Sequence, residues 1–77
     1  MEKQIPQNVI DLAHKNGYNS VTYAGMLDGA HIFGVTIVDE DNEPMTIGLP
    51  VFIRLLGEDV SMIYAPESIK IILELFP

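Results

Sequence analysis

The chain contains no cysteine. Disulfides and thiolate-held metals are therefore excluded as braces, a real loss for a small chain. Basic residues are almost as scarce: Lys3, Lys15, Arg54 and Lys70 stand against eleven carboxylates, for a net charge of -7. A nucleic-acid surface needs a basic stripe to displace phosphate counterions, and four scattered cations cannot form one. DNA, RNA and anionic membrane are accordingly not expected partners. No stretch nears the roughly 18 apolar residues of a membrane span, and "MEKQIPQNVI" lacks the apolar core of a secretion signal. With the missing cysteine, this reads as a soluble, cytoplasmic protein.

Catalytic signatures are also lacking. No serine sits in a G-x-S-x-G elbow, and the glycines at 17, 25, 29, 34, 48 and 57 never gather before a helix as a phosphate-binding loop requires. No catalytic residue, cofactor or metal is expected. His14 falls near a helix end, where a capping or solvated role suits it. His31 follows an Asp-Gly turn at the sheet rim and reads as a structural histidine.

What is present is patterned. The 77 residues make one domain, 1–77, in which a chain this short buries only about 60% of its unfolded surface. Ile5, Val9, Leu12 and Ala13 share one helical face, with Pro6 at the start and Gly17 placed for a left-handed cap, predicting a helix over 6–16. After it the period changes to two. "VTYAGML-DG-AHIFGVTIV" is a hairpin whose Asp-Gly pair suits a type I′ turn. A two-residue turn sets Leu27 opposite Ala30, Met26 opposite His31, Ala24 opposite Phe33 and Tyr23 opposite Gly34, so that each ring faces a small residue.

"DEDNEP" (39–44) invites comparison with a calcium loop, since Asp39, Asp41 and Glu43 alternate like its first three ligands. Pro44 and Pro50, however, occupy the positions that demand glycine and a bidentate glutamate. A hairpin loop whose polar residues bond their own backbone fits better. Residues 45–56 then alternate as a strand, with a bulge or bend expected at Gly48 and Pro50. A short helix over 50–56 competes, but β-branched and aromatic residues in "VFI" favour the strand. "LGED" turns the chain into a short strand over 60–64, and "APESIKIILELF" is a second helix with Pro66 at its first position.

The fold expected is α+β: a helix, a four-stranded antiparallel meander, and a C-terminal helix packed on the sheet. Two features exceed what a simple two-layer domain can bury. The apolar residues of the last helix span an arc of about 200°, where resting on a sheet needs little over about 100°. In the second strand Phe33, Val35 and Ile37 lie on one face while Ile32 and Val38 lie on the other. Either the helices cover both faces or an oligomer covers one.

The leading expectation is thus a non-catalytic interaction module, a homodimer through Ile69, Ile72, Phe76 and an apolar sheet face. A second reading is an acidic inhibitor, adaptor or immunity-type protein that meets a basic protein partner through Asp39, Glu40, Asp41, Glu43, Glu58 and Asp59. A third is a small-ligand binder with a pocket between helix and sheet, using His31 with Tyr23 or Tyr64.

Overall fold

A computed structural model, describing residues 5–44 and 50–75, has the order α1 (Gln7–Lys15), β1 (Ser20–Leu27), β2 (Ala30–Thr36), β3 (Val51–Leu56), β4 (Asp59–Ile63) and α2 (Glu67–Leu75). The strands form an antiparallel meander, β1-β2-β3-β4. Residues 50–56 are therefore strand, as the β-branched content of "VFI" implied. The bend expected at Gly48 and the strand expected over 45–49 fall outside the described residues.

α1 ends where its sequence directs. Gly17 has φ +90°, and two backbone bonds, Gly17 N–H to the His14 carbonyl and Tyr18 N–H to the Ala13 carbonyl, close a Schellman cap. Tyr18, half-buried, then packs against the core cluster to which Val9 and Ala13 belong. Asp28 and Gly29 have φ 53° and 80°, the paired positive values of a type I′ turn. At the β3–β4 turn Gly57 alone is positive, at φ 64°, which is the type II′ pattern.

The hairpin register needs one correction. Leu27 pairs with Ala30 and Met26 with His31 as expected, but Tyr23 pairs with Phe33 and Thr22 with Gly34. A bulge at Ala24 and Gly25 absorbs one residue, and glycine permits it because φ at Gly25 is +140°. The rings of Tyr23 and Phe33 consequently sit side by side, 5.4 Å apart and edge-on, instead of each facing a small residue.

The helices take opposite faces. Val9 and Ala13 of α1 pack with Phe33, Val35, Ile53 and Leu55, while Ile71 of α2 packs with Ile32, Phe52 and Ile63. This three-layer arrangement explains why β2 is apolar on both sides: Ile32 and Phe33 are both buried, against different helices. α2 begins one residue later than expected, at Glu67, with the Pro66 carbonyl accepting the Ile69 N–H at 3.1 Å.

Candidate interaction surfaces

The acidic loop is a hairpin, and one of its carboxylates, that of Asp39, is turned to the backbone. Asp39 Oδ1 accepts the N–H groups of Asp41 (2.9 Å) and Glu43 (3.0 Å), and Asn42 adopts φ 60° to complete the turn. Val38 and Pro44 form a bridge beneath it. Asn19, which sequence reasoning passed over, grips the loop's base like a backbone strand: its amide donates to the Val38 carbonyl at 2.9 Å and accepts the Val38 N–H at 2.8 Å. Among the described residues no group of three or more histidine or carboxylate side chains is placed to hold a metal ion. Asp39, Glu40, Asp41 and Glu43 are all exposed, so the loop presents negative charge at its tip.

His31 and Tyr23 meet on the α1 side of the sheet. The Tyr23 hydroxyl lies 2.9 Å from His31 Nδ1, and the rings are 5.6 Å apart. The bulge brings about this meeting, because it moves Tyr23 onto the pair with Phe33, the residue that shares a face with His31. Tyr64 is exposed elsewhere, at the end of β4. The two polar groups expected to line a ligand pocket therefore occupy each other.

α2 carries the other surfaces. Its residues Ser68, Ile71, Ile72 and Leu75 follow the i, i+3, i+4, i+7 spacing of a face turned to the sheet. Ser68 and Ile71 are buried, and Ile72 and Leu75 pack against the same layer. On one flank a groove of about 480 Å³ runs between helix and sheet, with Ile32, Ile63 and Ile71 as an apolar floor. Its rim alternates Arg54 and Lys70 with Asp28, Glu67 and Glu74. On the other flank Ile69 is 41% exposed and Leu73, one turn on, 68%.

Of the three contact residues expected from sequence, Ile69 is thus free for contact, Ile72 is half-buried against the sheet, and Phe76 lies outside the described residues. Leu73 was the residue missed. Its spacing from Ile69 was the available signal, since i and i+4 share a face.

Among the described residues no helix is long and apolar enough to cross a membrane. Compared with protein-family models, curated proteins and solved structures, the chain matches none.

Proposed function

We propose that the protein is a non-catalytic interaction module that self-associates through the outer flank of α2. The observation that supports this is the pair Ile69 and Leu73. They form an apolar step on a helix whose sheet-facing side is already filled. With α1 on the opposite face of the sheet, no element among the described residues covers this flank, and in this reading a second copy of the chain does so. The sheet faces themselves contribute less than the sequence suggested, because each carries a helix.

The test is molar mass by light scattering across concentration, comparing the parent chain with Leu73→Asp. An exposed position tolerates the charge, so the variant should keep its circular dichroism and lose one association step. Unchanged mass would refute the assignment of this flank. Salt separates it from the acidic-partner reading: an apolar contact responds little to ionic strength, whereas a basic protein held by the Asp39–Glu43 loop would bind far faster at low salt.

A further inference from the structure

An open sheet has two edges, and here they are built differently. β1 carries the Ala24–Gly25 bulge, which breaks the row of outward peptide groups and blunts that edge. β4 pairs without interruption from Leu56–Asp59 to Phe52–Ile63 and contains no proline, glycine or lysine. Its one charged residue, Asp59, sits at the turn end of this five-residue strand, so the stretch Val60–Ile63 carries no charge, proline or bulge to protect the edge.

The turn fixes which of its peptide groups face outward. A two-residue turn closes on a hydrogen-bonded pair, Leu56 with Asp59. Asp59, Ser61 and Ile63 therefore bond to β3, and Val60 and Met62 direct their N–H and carbonyl groups away from the sheet. No hydrogen bond meets these groups from any described residue.

Resting on the reading that this protein self-associates, we propose that β4 pairs antiparallel with β4 of a second copy about a two-fold axis at Ser61. The two sheets then join into one of eight strands. The sequence of the strand is self-complementary in this register. Val60 of each copy lies opposite Met62 of the other, bonding the outward peptide groups of both strands and extending the apolar layer under α1, to which both residues belong. Ser61 lies opposite its own copy on the α2 side, where its exposed hydroxyl makes a small contact.

Charge selects the same register. Each chain is at -7, so the seam must keep carboxylates apart. Asp59 falls beside Ile63 of the other copy, and the two Asp59 residues are separated by about 13 Å along the strands, beyond the screening length of about 8 Å at physiological salt. Pairing β4 with β1 of another copy would propagate without closing, and the bulge in β1 opposes it. A two-fold β4 seam closes on itself.

Two independent variants probe the seam. Ser61→Asp places like charges opposite each other across the axis at an exposed position. Val60→Pro removes an outward N–H that β3 does not use. Each is measured alone and combined with Leu73→Asp, by light scattering from micromolar to millimolar concentration at physiological salt, with circular dichroism to establish folding.

The expected result is that the parent chain is larger than a dimer, that Leu73→Asp reduces it to a dimer, and that adding either β4 change halves that mass to the monomer. A monomer with Leu73→Asp alone would overturn the β4 seam and leave the α2 contact standing. A parent dimer that ignores Leu73→Asp but dissociates with Ser61→Asp would retain the β4 seam and overturn the α2 contact. A monomeric parent overturns both, and the free edge would then be open to an extended segment of a different protein.

Discussion

Replacing Ser68 with alanine should stabilise the protein. Ser68 is fully buried on the sheet-facing side of α2, and its hydroxyl has no hydrogen-bond partner among the described residues. Its backbone N–H bonds to the Tyr64 carbonyl at 3.1 Å, but the side chain makes no such contact. A buried, unsatisfied hydroxyl costs about 1–3 kcal/mol. Ser68→Ala removes that cost and adds a few tenths of a kcal/mol of helix propensity, while the space left by a single oxygen subtracts a similar amount. The expected net is about +1 to +2 kcal/mol. At roughly 4–8 °C per kcal/mol for a domain of this size, the melting temperature should rise by about 5–15 °C. The assay is urea denaturation with a constant m-value, supported by thermal melts at several protein concentrations, since association would otherwise shift the midpoint. A loss of stability would refute the reasoning, because it would mean that the hydroxyl holds a partner whose bond outweighs its burial.

Other outcomes follow from the same geometry. Gly25→Ala should cost about 1–3 kcal/mol, measured by denaturation; a β-carbon there would sit an ordinary 3.6 Å from Leu75, so the loss comes from holding alanine at φ +140°. Tyr23→Phe keeps the ring against Phe33 but removes the bond to His31, and should lower stability by about 0.5–1.5 kcal/mol with the fold intact by NMR. Asp39→Ala should broaden the amide signals of Asp41 and Glu43, whose N–H groups lose their acceptor, while leaving the sheet amides unchanged. Because Asp39 Oδ1 already accepts two backbone bonds, millimolar calcium should leave the melting temperature where it is, and a clear rise would contradict the hairpin reading of this loop.

Local chemistry was readable where one residue type answers one backbone demand. Gly17 ends α1, and the Asp28–Gly29 pair makes a type I′ turn, because few other residues tolerate those φ values at low cost. Asp39 could be foreseen bonding its own backbone, since a short carboxylate in a tight loop has its best acceptor geometry two residues on. The register beyond Gly25 could not. "VTYAGML" alternates equally well with and without a bulge, and the choice follows from contacts distant in sequence. The extra residue seats Gly25 beneath Leu75 of α2 and brings Tyr23 to Phe33 and His31.

The candidate surfaces divide in the same way. Exposure of Ile69 and burial of Ile71 on one helix depend on how α2 is rotated over Ile32, Phe52 and Ile63, which no window of α2 alone specifies. The unprotected edge at β4 likewise required knowing that β4 ends the sheet. From the sequence alone came the element types, the turn geometry, the acidic excess and the fact that both faces of β2 must be buried. Local periodicity and φ preferences carry that information. Which helix covers which face, where the bulge falls and which apolar residues remain uncovered were decided only in the tertiary structure, because packing between distant segments chooses among arrangements that local propensity leaves nearly equal in energy.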